Sequence, residues 1–166
     1  YKPANICVSN GAKHTIYSAL LATLNEGDEV IIPTPYWVSY SELVKMTGAT
    51  PVLVETKRAA RFLLDARQLA DAITPKTKML MLNSPNNPTG SAYQVDQLCR
   101  IAEVCVEKKL LVLSDEIYER LIYTDTPFHA FASLGPEIFQ QTLTVNGVSK
   151  TYAMTGWRIG WTAGSA

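Results

Sequence analysis

Two nearly uninterrupted apolar runs, Lys78-Met79-Leu80-Met81-Leu82-Asn83 and Leu110-Leu111-Val112-Leu113-Ser114, constrain this chain more than any other feature. A strand with one wet face alternates apolar and polar residues, whereas a strand that is apolar at consecutive positions is covered on both faces. Further β-type runs occupy residues 5–9, 29–33, 50–55, 142–146 and 158–163. Helical patterns fall between them. From Gly11 onward, Ile16, Tyr17, Leu20, Leu21 and Leu24 recur at helical spacing until the turn Asn25-Glu26-Gly27-Asp28. Further helices are predicted over 38–46, from a cap at Asp65 to about 73, and over 95–108. Doubly buried strands alternating with helices of this length predict an α/β three-layer sandwich around a mostly parallel sheet.

The chain has 166 residues, 47% of them apolar, which suffices for one domain with a real core. Its 15 basic and 15 acidic side chains cancel, so no electrostatic reason appears for a nucleic-acid partner or a membrane surface. No apolar run is long enough to span a bilayer. Cys7, Cys99 and Cys105 are odd in number and sit inside apolar segments. They read as reduced, buried thiols, and the expected location is cytoplasmic. No Cys-x-x-Cys or His-rich spacing suggests zinc, so no metal is expected. The chain opens on a strand without Met and stops at Gly164-Ser165-Ala166 just after another, which reads as a piece of something larger.

Parallel α/β sheets bind ligands where the strands end at their carboxyl edge, which turns the strand map into a site map. Past the predicted strand ends lie Ser9-Asn10-Gly11, Thr34-Pro35-Tyr36-Trp37, residues 83–90, residues 115–118 and residues 146–150. The loop Asn83-Ser84-Pro85-Asn86-Asn87-Pro88-Thr89-Gly90 is rigid and polar, with an Asn-Pro bond that is a candidate cis peptide. It reads as an ordinary turn-rich connection until its place at the sheet edge turns Asn87 toward ligand contact.

Asp115 ends an apolar strand, so it is either a helix N-cap ahead of Glu116-Ile117-Tyr118 or the partner of a buried positive charge. Tyr118, three residues on, shares a face with Asp115 if the turn is helical. Most lysines are solvated, as Lys108 and Lys109 would be. Lys150, beside Ser149, lies instead between an apolar strand and Tyr152-Ala153-Met154. Buried there, it would lose its proton and attack carbonyls. Arg158 is read at the start of the last strand, ready to pair with an anion. Gly11 opens a helix after a strand, so the amides of Ala12 and Lys13 would face a phosphate. Gly-x-Gly-x-x-Gly is absent, so this is no dinucleotide fingerprint. A helix N-terminus and an arginine suit a phosphate, a carboxylate suits a pyridinium nitrogen, a lysine suits an aldehyde, and Trp37 offers a flat face. Those are the demands of pyridoxal 5'-phosphate.

The stretches SNGAK (9–13), PTPYWVSY (33–40), NSPNNPTG (83–90), LSDEIYE (113–119) and TVNGVSKTYAMTGWRIGW (144–161) occur in the order found in class I/II pyridoxal-phosphate aminotransferases of fold type I. The chain resembles that family from end to end, and within it the bacterial-type aspartate and prephenate aminotransferases. The resemblance implies the large cofactor-binding domain, with the last strand antiparallel. Residues 1–166 would be part of that domain, without the N-terminal segment and the C-terminal small domain. It also implies roles. Lys150 would be the Schiff-base lysine and proton shuttle, Asp115 would neutralise the pyridine nitrogen, and Tyr118 and Asn87 would hydrogen-bond the phenolic oxygen. Trp37 would stack on the ring, Trp37 and Asn87 would border the substrate, and Ala12, Lys13 and Arg158 would hold the phosphate. Many relatives carry Ser or Thr three residues before the lysine; here that position is Gly147, with Ser149 as a substitute.

The implied partners are an amino acid and a 2-keto acid, aspartate or glutamate first, prephenate or aromatic substrates next, in a full-length homodimer. Two alternatives share the same cofactor residues: a lyase or synthase of the same fold, and a non-catalytic aminotransferase-like regulatory domain. Taken alone, the fragment is expected to be inactive, because it lacks the arginine that grips the substrate α-carboxylate.

Overall fold

In the computed structural model, residues 1–125 and 127–165 are described; Thr126 and Ala166, which the expected domain and chain end include, lie outside the described residues. Seven strands form one sheet: β1 (Ile6–Ser9), β2 (Glu29–Thr34), β3 (Thr50–Glu55), β4 (Thr77–Asn83), β5 (Leu111–Asp115), β6 (Thr142–Gly147) and β7 (Gly160–Ala163). Their order is β1-β7-β6-β5-β4-β2-β3. Every pair from β6 to β3 is parallel, and β7 runs antiparallel to both β6 and β1. The expected mostly parallel sheet with a reversed last strand is therefore present.

Helices cover both faces, and side-chain parity shows how. Ile31, Leu80, Leu82 and Val112 pack with α3 (Ala66–Ala72), α4 (Val95–Lys108) and α5 (Pro136–Gln141). Val30, Ile32, Met79, Met81 and Leu113 point the other way, against α1 (Ala12–Thr23) and α2 (Ser39–Lys45). Consecutive residues of β4 and β5 thus enter two different cores, which is why those runs carry no polar alternation. Asp65 caps α3 by accepting the Gln68 N–H at 2.8 Å, while the Gln68 side chain accepts the Asp65 N–H at 3.1 Å.

Two expectations need correction. The three cysteines are free, but only Cys105 is buried; Cys99 is half-buried and Cys7 exposed. Cys7 lies on β1, which pairs on one side only and whose Ile6 and Val8 are also exposed. Arg158 is not in a strand. It closes a 3-10 turn (Thr155–Trp157) in the left-handed region at φ 53°, and ladder pairing begins at Gly160. Among the described residues, no helix is long and apolar enough to cross a membrane.

Candidate functional site

The carboxyl edge of β4, β5 and β6 opens into a cavity of about 270 Å³. Ala12, Lys13, Trp37, Asn87, Asp115, Tyr118, Ser149, Lys150 and Arg158, the full set expected from the sequence, line it. Because β7 runs backward, its entry rather than its exit reaches this edge, so Arg158 arrives beside the ends of its antiparallel neighbours.

The anion-binding end is built by two close approaches. A Cβ on Gly160 would overlap the backbone nitrogen of Ala12, so the bare strand lets the start of α1 press against the sheet. Gly11, at φ +83°, has the Arg158 guanidinium where a side chain would stand. The first amides of α1 lack intrahelical partners, and they share this end of the cavity with a guanidinium. Arg158 Nη1 also donates to the carbonyl of Thr155 at 3.0 Å, which fixes its reach. Gly147 is explained the same way. A Cβ there would stand 2.9 Å from the carbonyl oxygen of Ile159, so no hydroxyl-bearing residue fits. Ser149, two residues on, does line the cavity.

At the far side Asp115 is 2% exposed. Its Oδ1 accepts the N–H of Ile117 at 3.1 Å, in a turn and not the expected helix N-cap, since no helix follows β5 there, and its Oδ2 accepts the hydroxyl of Tyr40 at 2.7 Å. None of the ion pairs among the described residues includes it. Burial pushes its carboxyl above the ordinary range, against the pull of those two hydrogen bonds. Asn83, also buried, donates from Nδ2 to the Asp115 carbonyl at 2.9 Å and accepts the Asn87 N–H on Oδ1 at 2.8 Å. The loop bearing Asn87 closes on itself through Asn86, whose Oδ1 accepts from the Thr89 N–H and hydroxyl; Ser84-Pro85 and Asn87-Pro88 are both cis.

Lys150 sits on the short helix α6 (Val148–Thr151), its Nζ 5.8 Å from the centre of the Tyr118 ring. It is exposed rather than buried, because the cavity mouth above it is open in this chain. Trp37 meets Tyr40 edge to face at 5.5 Å and carries the Lys13 ammonium 4.8 Å from its ring centre.

Four lining residues were not expected: Tyr40, Asn83, Ile117 and Thr155. Tyr40 was detectable, since Trp37-x-x-Tyr40 places both aromatics on one turn entering α2. Asn83 was included in the loop without a role. Nothing in the pattern singles out Thr155, which acts through its backbone.

The residues fit pyridoxal 5'-phosphate on these observations: a buried carboxylate without a cation, an amine across one cavity, and a helix start pressed beside a guanidinium. Comparison with known proteins agrees. The family model for aminotransferase class I and II matches residues 1–166. An aspartate aminotransferase of Bacillus sp. (strain YM-2) is 49% identical over 166 residues, covering 100% of this chain. A bifunctional aspartate aminotransferase and glutamate/aspartate-prephenate aminotransferase of Petunia hybrida is 52% identical over 99% of this chain. The crystal structure of the aspartate aminotransferase from Rhizobium meliloti superimposes with a TM-score of 0.96 at 45% identity, covering 99% of this chain and 41% of that one. This chain spans 42% of the length of the Bacillus relative and 34% of the Petunia one. With the sheet order and all three comparisons in accord, the chain belongs to the aminotransferase class I and II family.

Proposed function

We propose that this chain is part of the large domain of a pyridoxal-phosphate enzyme that moves an amino group between an amino acid, aspartate or glutamate first, and a 2-keto acid. The observation that carries the reading is Asp115. A buried carboxylate with no cationic partner among the described ion pairs is costly, and a protonated ring nitrogen would relieve it. When bound, the cofactor supplies an electron sink that makes the substrate Cα–H acidic.

The rest falls to the chain's own side chains. Asp115 keeps the ring nitrogen protonated. Ala12, Lys13 and Arg158, with Ser149 beside them, grip the phosphate and fix the ring's depth in the cavity. Trp37 covers one ring face, and Asn87 and Tyr118 hydrogen-bond the phenolic oxygen. Lys150 would hold the cofactor through its amine and, once freed by an incoming amino group, would take up and return the substrate's Cα proton. The substrate's own carboxylate would be gripped outside this chain, in a full-length homodimer.

The test uses the full-length protein. With aspartate and 2-oxoglutarate it should yield oxaloacetate and glutamate, and Lys150→Ala should lose both the cofactor's visible absorbance and nearly all turnover. A coloured, active variant would sink the lysine assignment. Release of the substrate's side chain without amino transfer would identify a lyase instead.

A further inference from the structure

Tyr40 is 2% exposed and touches two parts of the site at once. Its hydroxyl donates to Asp115 Oδ2 at 2.7 Å, and its ring stands at 87° to Trp37, centroids 5.5 Å apart. The Tyr40 N–H also donates to the Trp37 carbonyl at 2.9 Å, so the two aromatics belong to one turn. With Ile117 N–H on Oδ1, the Asp115 carboxylate is held at each oxygen by a neutral donor. Neutral donors fix the orientation of a carboxylate while leaving its charge for something else to meet. Burial and the neighbouring Asp115 keep the Tyr40 hydroxyl protonated well above its ordinary range, so it stays a donor.

We propose that Tyr40 is the positioning residue of this site. Through its hydroxyl it fixes Asp115, and through its ring edge it fixes Trp37, so that carboxylate and indole together take up one flat, cationic heteroaromatic ring. The inference rests on the cofactor reading above. The blander account is that Tyr40 is a core residue, packed with Leu43 and Val44, whose buried hydroxyl needed an acceptor. In that case its removal changes folding stability and nothing at the ring.

The experiment reconstitutes the full-length apoenzyme with pyridoxal phosphate carrying ¹⁵N in the ring, and reads the nitrogen chemical shift and the cofactor dissociation constant. Tyr40→Phe keeps the ring edge and the packing. It should move the ¹⁵N resonance and weaken retention by roughly tenfold, the size of one hydrogen bond to a charged group. In an Asp115→Asn background the same change should add no further shift, because its route is gone. An unaltered resonance and affinity in Tyr40→Phe, or an equal effect in the Asp115→Asn background, overturns the proposal. If Tyr40→Phe does not fold, fluorotyrosine at position 40 strengthens the donor without removing an atom and should shift the resonance in the opposite sense; no shift overturns the proposal. An unsubstituted enzyme whose bound ring nitrogen is unprotonated overturns the cofactor reading of Asp115, a result distinct from any of these.

Discussion

Asn83 and Asp115 face each other in the β4–β5 ladder, and the Asn83 side chain ties them a second time by donating to the Asp115 carbonyl at 2.9 Å. Its other end accepts the Asn87 N–H at 2.8 Å. One amide thus sets the spacing between Asp115 and Asn87, the residues proposed to meet the ring nitrogen and the phenolic oxygen.

Asn83→Ala would leave the Asn87 N–H unpaired inside the protein, while the Asp115 carbonyl would keep the Ser84 N–H at 3.3 Å. Each buried group left unpaired costs roughly 1–3 kcal/mol, so the full-length protein should unfold at distinctly lower urea and bind cofactor more weakly. An unchanged midpoint and dissociation constant would show that the bridge holds nothing.

Asp115→Asn removes charge while leaving an oxygen for the Ile117 N–H. The variant should still take up cofactor, but its single-turnover reaction with an amino acid should slow by roughly a hundredfold or more, as when a preorganised electrostatic partner is lost. Rapid-mixing absorbance checks this, and a variant that transaminates normally refutes the electron-sink role.

Glu116 directly follows β5 and is buried. Its Oε1 accepts the Ser114 hydroxyl and the Phe131 N–H, both at 2.9 Å, and burial pushes its carboxyl up to about 7. The folded state therefore holds a proton that the unfolded chain releases near 4.5. Its contribution is full below that pH and disappears as pH rises through about 7, on the order of 2–3 kcal/mol. Glu116→Gln should flatten the stability profile of the full-length protein between pH 4.5 and 7; an equal slope in both proteins would locate the titration elsewhere.

Gly160→Ala forces a methyl into the Ala12 nitrogen. Overpacking of this kind costs roughly 1–3 kcal/mol, and the displaced start of α1 should release phosphate more easily. Gly156→Ala, with nothing near its added methyl, is the matched control and should fall within about 0.5 kcal/mol of the parent. Thermal melts and inorganic phosphate competition separate the two.

Strands β4 and β5 were legible almost to the residue, because burial on both faces leaves an unbroken apolar signature. That same edge delivered Asp115, and the glycine after β1 delivered the start of α1. Other features were not legible, for physical reasons. The left-handed backbone of Arg158 has no composition signal in a non-glycine residue, so it read as the opening of a strand. Apolar spacing around Lys150 cannot tell a core position from the rim of an open cavity. Cys7 looks buried in a strand until the sheet order puts that strand at an unpaired edge. The spacing of Tyr40 from Trp37 marks it as a neighbour of the site, but its burial as core hides the role of its hydroxyl.

The reversed strand also dictates a timetable. β1, the first of the described strands, has β7, the last of them, as its one neighbour in the sheet. On a ribosome, chain emerges in order and local pairings form early, whereas this contact waits across the longest loop available. The start of α1 and Arg158 therefore cannot meet until β7 is threaded between β1 and β6. A nascent chain stopped a few residues short would have most of its core and no grip on an anion.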